Sequence, residues 1–548
     1  MRPRRPGLPS LDGKRLKPQS AVSSTGVSES PAARRHTSRN IGFVGSALDR
    51  WGLLVAVSGA VVIGAVLRLV RLGERVLSFD EAYTVATAQR PFVDMLATFR
   101  FEANGTLHAI LLWPLLRISE SEAMVRTPAM IAGLATIPAV FWAARELVGH
   151  RAALVGAALV ALSPAMIGWS VYGRGYAFAI LFAVLSFGCL SRALDADEGR
   201  SGVWRALYVL ATLAMAYSSA VAAVTLLPIH AVAVAARAGK SGALGAWART
   251  GLALVAGLLP LGVLLYVEST YRDPLAWLWK PDLALIRRVG GELTAGPAFF
   301  GTAGAGLAGA IVATLLAIAI TGLVLSHPRV GTPKWETWVI VSWSLFPPLL
   351  LFVVSQVRPM LWGRYLGIIV PALALLVAVL IVRMPKVLAL ACGAALASFL
   401  LIASLLTPAP HNDFRAAASW MEEHRRPGEA VVVYPIEQLP AYAYYARTLR
   451  VNGDMPVAEW NDTRLPEGIV GYRRDYDWGD SPVGPPTEAE LARLASRTGS
   501  VIVLSYPNLA GEIPVSWAEA RGCVVAWSRF DGLADVSMRA CRLTSEGT

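Results

Sequence analysis

Charge is scarce in this chain. Asp, Glu, Lys and Arg make up 16% of its 548 residues, where a soluble surface needs roughly a quarter. Cysteine is scarce too, with four in all, and lysine is absent from residue 407 to the end. No apolar core with a small-residue cleavage site precedes Trp51, so the N-terminal stretch does not read as a cleaved signal peptide. These shortages exclude a cytosolic enzyme and a secreted scaffold. What is abundant is apolar: hydrophobic residues reach 55% and mean hydropathy is +0.50. Apolar runs of about 20 residues recur, each long enough to cross about 30 Å of hydrocarbon. The chain reads as a polytopic membrane protein. Its 17 Trp and 34 Pro suit interfacial belts and broken spans.

The net charge of +12 is unevenly placed. Residues 1–50 carry ten Lys/Arg against Asp12, Glu29 and Asp49, a balance of +7. That stretch is rich in Ser, Pro and Arg and is expected to be a disordered, basic, cytoplasmic tail; nucleic acid is not an expected partner. Residues 407–548 carry 19 Asp/Glu and 14 Arg, a balance of −5. They read as a separate domain of soluble composition behind a membrane body spanning 51–406.

Apolar runs and basic clusters together give about eleven spans, near 51–70, 123–143, 153–170, 176–193, 206–218, 220–236, 251–267, 303–325, 336–354, 365–382 and 387–406. Arg145/Arg151, Arg237/Lys240/Arg249, Arg329/Lys334 and Arg383/Lys386 then fall on the N-terminal side, the cytoplasmic one. Loops 71–121 and 268–302, the turn 355–364 and the C-terminal domain are expected outside. His108–Leu116 is apolar but too short to span and reads as an interface helix. Within the C-terminal domain, Ala430–Tyr434 and Ser500–Ser505 read as strands, and Asp413–His424 and Thr487–Arg497 as helices, the latter opening with a capping box. These elements suggest a small α/β domain, without a Gly-rich phosphate loop or a His/Cys metal cluster. Cys523 and Cys541 flank the strand-like Val524–Trp527 and suit a hairpin-stapling disulfide in an oxidising compartment. Cys189 and Cys392 lie in apolar runs and read as core residues.

Chemistry concentrates in the outer loops. Leu77-Ser78-Phe79-Asp80-Glu81-Ala82-Tyr83 sets two carboxylates at a membrane boundary, where burial tunes a general base. Asp80 as the N-cap of an interface helix 81–90 is the plainer alternative. Adjacent residues project differently, so only one of the pair is expected to react. Tyr172-Gly173-Arg174-Gly175-Tyr176 and Arg358, Arg364 and Tyr365 place arginines where a planar fork could hold a phosphate; a snorkelling role at the interface is the alternative. In loop 268–302, Tyr271 and Trp277 suit sugar stacking or an aromatic belt.

These segments, in order with Ser121-Glu122-Ala123-Met124-Val125-Arg126-Thr127-Pro128, Leu162-Ser163-Pro164, Gly363-Arg364-Tyr365-Leu366 and Asn412-Asp413-Phe414-Arg415, resemble the polytopic GT-C glycosyltransferases. The likeness is to the family-39-like branch related to protein mannosyltransferases and aminoarabinose transferases, over about 51–450. It implies a helical GT-C membrane module, a polyprenyl-phosphate-linked sugar as donor, a lipid, glycan or protein as acceptor, and mannose as the first donor sugar to test. It assigns Asp80, with Glu81, as the catalytic carboxylates, and Arg174, Tyr176, Arg358, Arg364 and Tyr365 to the donor phosphate. His108, Tyr271 and Trp277 are expected to contact acceptor or sugar. No cofactor is assigned, no metal ligand is named, and a divalent metal is left open. Three positions depart from the pattern: Tyr172 stands where the family has Glu, Gly105-Thr106-Leu107-His108 replaces a His-Pro-Pro, and Tyr217-Ser218-Ser219 replaces a turn that often holds His. A lipid transporter or flippase would show internal repeats and midplane charges; neither is evident. A non-catalytic envelope assembly protein is the other rival.

Overall fold

The computed structural model describes residues 32–73, 76–195, 198–241, 244–271, 273–296, 335–406, 414–451, 453, 455–456, 465–473, 482–505, 524–527 and 537–544. Residues 1–54 form one unit and 55–548 another. The helical bundle from residue 55 on, the loop after its first span and the C-terminal domain all belong to the second unit. The membrane-crossing end of α1 (Ala32–Leu69) is Trp51–Leu69. The segment after it folds into three short helices, α2 (Phe79–Ala88), α3 (Phe92–Thr98) and α4 (Thr106–Leu115). The bundle continues with α5 (Glu122–Val148), α6 (His150–Leu162), α7 (Pro164–Ser170), α8 (Tyr176–Asp195), α9 (Glu198–Ser218), α10 (Ala220–Ser241) and α11 (Leu244–Tyr271). Then come the amphipathic α12 (Leu283–Ala295), α13 (Trp335–Val354), α14 (Gly363–Arg383, tightened to a 3₁₀ turn at Gly367–Ile369) and α15 (Lys386–Leu406).

Among the described residues seven helices are long and apolar enough to cross a membrane, or eight if the bent pair α6–α7 counts as one span. This falls short of the eleven expected. The expected eighth span, 303–325, lies outside the described residues. The expected fifth is α9, whose first turns carry Glu198, Arg200 and Arg205 and dilute its hydropathy, and the expected ninth is α13, whose apolar part Trp338–Val354 is short. The expected third span is broken. Ser163 is extended (φ −62°, ψ 120°), its hydroxyl accepts from Met166 N–H, and Pro164 restarts the helix at a 61° bend. The run read as an interface helix is α4, ten residues long.

The C-terminal domain holds α16 (Phe414–His424), β1 (Ala430–Tyr434), α17 (Leu439–Tyr445), β2 (Ile469–Gly471), α18 (Glu488–Thr498), β3 (Ser500–Ser505), β4 (Val524–Trp527) and β5 (Ser537–Thr544). Thr487 and Glu490 close the expected capping box on α18. The sheet order is β2-β1-β3-β5-β4, with β1 parallel to β2 and β3, and β5 antiparallel to β3 and β4. Cys523 lies outside the described residues, as does the Cys541 side chain, so the disulfide does too; Cys189 and Cys392 are free thiols.

One apolar core joins this domain to the loop after α1. Leu77, Tyr83, Val85, Met95 and Leu112 pack with Phe414, Met421, Leu439 and Tyr442. At its edge the Leu77 N–H donates to the Tyr445 hydroxyl (2.7 Å), which donates on to Glu122 (3.1 Å). The start of α2 is thus gripped from above by α17.

Candidate active site

Ser78, not Asp80, caps α2. Its hydroxyl accepts from Glu81 N–H (3.3 Å), and Glu81 Oε2 accepts from Ser78 N–H (2.9 Å), a complete capping box. The cap uses Ser78 and Glu81 and leaves Asp80 out, so the two adjacent carboxylates take different partners. Glu81 turns inward, 2% exposed, and accepts a bidentate pair from Arg126 of α5 (Nε 2.7 Å, Nη2 3.0 Å) and the Gly173 N–H (2.8 Å). Asp80 keeps 22% of its side chain accessible. Its Oδ2 accepts from Arg364 Nη1 (2.8 Å) and from the Tyr172 hydroxyl (2.7 Å).

Arg174 approaches from the turn between α7 and α8. Its Nη2 meets Glu102 (2.8 Å), while Nη1 donates to the Thr84 hydroxyl (3.0 Å) and, at 3.4 Å, to the Asp80 carbonyl. The glycines beside these arginines are required by close approach. A Cβ on Gly175 would lie 2.6 Å from the Ser218 carbonyl, and one on Gly363 would lie 1.8 Å from Glu292 Oε2. The Arg364 guanidinium sits 5.2 Å above Trp277, and Trp277 packs edge-on to Trp362 (5.1 Å). Tyr176 stacks on Tyr172 at 6.1 Å.

The structure therefore brings Asp80, Arg174, Arg364, Tyr176 and Trp277 around one point. Arg358 is an exposed arginine paired with Asp273 (2.8 Å), while Arg364 is the one paired with Asp80. It lies on the turn ahead of Pro359, pointing its charge to a nearer carboxylate. Tyr365, one residue past Arg364, packs in an apolar cluster with Leu361, Trp362 and Leu366, within electrostatic reach of Arg364, Tyr176 and Asp80. Tyr271 packs on Phe101, ring centroids 5.2 Å apart. His108 is fully buried beside Phe178 (5.9 Å), with neither ring nitrogen hydrogen-bonded. Burial and the Arg174 charge, only partly offset by Glu81, push it down to about 3, so the imidazole is neutral.

Four site residues carried no assignment in the sequence: Tyr172, Thr84, Glu102 and Arg126. Tyr172 had a signal, because it occupies the family's Glu position two residues before Arg174. Thr84 sits one helical turn after Asp80. Glu102 had none.

Burial alone would raise the Asp80 carboxyl. The charges of Arg364 and Arg174 and the Tyr172 hydroxyl outweigh it and hold Asp80 below the usual carboxylate range. Burial and the Asp80 charge hold the Tyr172 phenol well above its ordinary value, so it remains a donor. Among the described residues no group of three His, Cys, Asp or Glu could hold a metal ion.

Comparison with known proteins finds similarity in part of the sequence and in the fold. A family model described as dolichyl-phosphate-mannose-protein mannosyltransferase matches residues 104–266, the stretch that contains Arg126, Tyr172 and Arg174. No curated protein sequence matches. Among solved structures, apo ArnT from Cupriavidus metallidurans is similar over 92% of this chain and 99% of that one, at 13% identity and TM-score 0.56. The same protein bound to undecaprenyl phosphate is similar over 89% and 97%, at 13% identity and TM-score 0.53. The oligosaccharyltransferase AglB from Archaeoglobus fulgidus, in complex with an inhibitory peptide and a dolichol-phosphate, is similar over 83% and 70%, at 13% identity and TM-score 0.50.

Proposed function

From the GT-C fold of this multi-pass membrane protein we propose that it moves a sugar from a polyprenyl-phosphate carrier to an acceptor hydroxyl at the outer membrane face. The observation that carries this is Asp80: a partly accessible carboxylate bonded to Arg364 of α14, with Arg174 of the α7–α8 turn at its backbone carbonyl. One arginine pair and one carboxylate suit a reaction in which phosphate leaves and a hydroxyl must lose its proton. The acceptor oxygen attacks the anomeric carbon, the carbon–oxygen bond to the phosphate breaks, and the bonding pair leaves on polyprenyl phosphate. Asp80 takes the hydroxyl proton. A single displacement inverts the anomeric configuration, and the departing phosphate needs no acid because Arg364 and Arg174 neutralise it. Mannose is the first donor to test, as the matching family model suggests. The acceptor hydroxyl belongs to a lipid, a glycan or a protein.

Arg364 is paired with Asp80. An arriving phosphate competes for the same fork, and as Arg364 turns to it Asp80 loses its strongest counter-charge. Its pKa then rises and it becomes a better base only once the donor is in place. Two distinct pH profiles are expected. The acid limb of kcat/KM, which reports the free enzyme, should fall only below the ordinary Asp pKa of about 3.9, because a depressed pKa keeps Asp80 ionised as pH drops. The acid limb of kcat, which reports the donor complex, should lie higher. Tyr172→Phe should move the kcat/KM limb upward. Coincident limbs that Tyr172→Phe leaves in place would remove Asp80 as the base.

Arg364→Ala should lower kcat/KM for the donor about 100-fold, the scale of losing one preorganised donor to developing charge. Lys should restore less than about a tenth of that, since it offers a point charge instead of a fork. Steady-state kinetics with a purified polyprenyl-phosphate sugar measures both. An Arg364→Lys variant as active as wild type contradicts the phosphate role.

A further inference from the structure

Arg68 lies at the last turn of α1, inside the apolar bundle, and is 0% exposed. It does not snorkel and no described carboxylate pairs with it. A buried cation without a counter-charge is costly in a membrane and calls for a reason. Its bonds supply one. Nη1 donates to the Gly64 carbonyl (3.0 Å) and to the Ala161 carbonyl (3.2 Å), and Nε donates to the Ser170 hydroxyl (3.0 Å). Ala161 is in the last turn of α6, where the break at Ser163–Pro164 strips the helix carbonyls of their next-turn partners. The neighbouring Leu162 carbonyl is likewise taken by the Ser404 hydroxyl of α15 (3.0 Å). A cation at a helix C-terminus is also favoured by the aligned peptide dipoles.

Ser170 is the last residue of α7, on the far side of the bend. It is wedged so closely against α5 that a Cβ on Gly133 would lie 1.9 Å from its oxygen. Two residues on comes Tyr172, bonded to Asp80, and four on comes Arg174. Arg68 therefore touches both limbs of the broken span.

We infer that Arg68 is a positioning residue. Its guanidinium bolts the end of α6 to the end of α7, fixes the bend, and thereby sets where Tyr172 and Arg174 meet Asp80. The inference rests on the glycosyltransferase reading, so its test needs one arm that does not depend on turnover. Three variants separate the contributions. Arg68→Met keeps the length and removes every bond, Arg68→Lys keeps the charge without the fork, and Ser170→Ala removes only the link to α7. Amide hydrogen exchange by mass spectrometry on the folded variants supplies the turnover-independent arm. Exchange of peptides covering 164–175, which include the Gly173 N–H bonded to Glu81, should quicken about tenfold or more in Arg68→Met and Ser170→Ala. It should change less in Arg68→Lys, and little elsewhere in the bundle.

On turnover, Ser170→Ala should lower kcat/KM about tenfold and shift its acid limb in the same direction as Tyr172→Phe. In a Tyr172→Phe background Ser170→Ala should add no further shift, since both act on one contact. A merely structural role lowers the yield of folded protein and leaves the pH profile alone. Unchanged exchange at 164–175 in both Arg68→Met and Ser170→Ala overturns the inference whatever the activity. Quickened exchange in a protein whose wild type transfers no sugar leaves the bolt standing and overturns the reaction instead.

Discussion

Asp80→Asn should reduce sugar transfer by about 1000-fold or more while the protein remains folded. The substitution is nearly isosteric, and an amide oxygen can still accept from Arg364 and Tyr172, so the local contacts persist. What is lost is the capacity to take a proton, a contribution of about 10²–10⁴ in rate for a positioned base. Loss of the negative charge weakens the hold on Arg364 without breaking the contact, so donor binding should hold or tighten as turnover falls. That combination distinguishes a chemical defect from a binding defect. Size-exclusion elution and thermal melting close to wild type, measured with turnover, complete the test. An Asp80→Asn protein within about tenfold of wild-type rate is incompatible with the assignment.

Arg126→Met should be among the most destabilising single substitutions in the chain. Arg126 is 1% exposed and gives Glu81 two charge-assisted bonds, and Arg126 also donates to the Leu72 and Val76 carbonyls at 3.2 Å each. Removing it leaves a buried carboxylate without its counter-charge, which costs about 3–5 kcal/mol. Burial alone would raise the Glu81 carboxyl, and Arg126 with the Ser78 and Gly173 N–H groups keeps it below its ordinary value. Glu81→Gln should be milder, because a neutral amide is cheaper to bury and can keep part of the capping geometry. Adding Glu81→Gln to Arg126→Met should therefore recover stability and not compound the loss. Detergent-solubilised melting curves of the two single variants and the double settle this. Melting temperatures that drop additively would mean the two side chains act independently. The comparison also divides the adjacent carboxylates: Glu81 variants should fail through folding, Asp80 variants through chemistry.

Local patterns carried most of the helices and strands. The capping box at Thr487 and Glu490, the strands 430–434 and 500–505, and all but one of the expected span positions are set by short-range periodicity and cap chemistry, and the structure places elements there. Asp80, Arg174 and Arg364 stood out because charge at a membrane boundary is rare enough to be informative. What periodicity could not supply was the pairing across the bundle. Glu81 and Arg126 are 45 residues apart, Asp80 and Arg364 284 apart, and no local rule says which arginine meets which acid. Arg358 and Arg364 lie close together in sequence, yet one meets Asp273 and the other Asp80. Tyr172 read as a departure from the family pattern. In three dimensions its hydroxyl donates to the Asp80 carboxylate. His108 shows the reverse: a polar residue in a promising segment, sealed by packing that only the assembled helices reveal.

The most direct test of the central claim is sugar release from a polyprenyl-phosphate donor. Purified protein in lipid nanodiscs is mixed with polyprenyl-phosphate mannose and, separately, with pentose and aminosugar equivalents, each with membrane-extracted acceptor. Free polyprenyl phosphate is followed by mass spectrometry. The account predicts that polyprenyl phosphate accumulates with at least one donor in step with a glycosylated product of inverted configuration, and that Asp80→Asn stops both. Intact donor in every mixture, or release that proceeds equally well in Asp80→Asn, would contradict it.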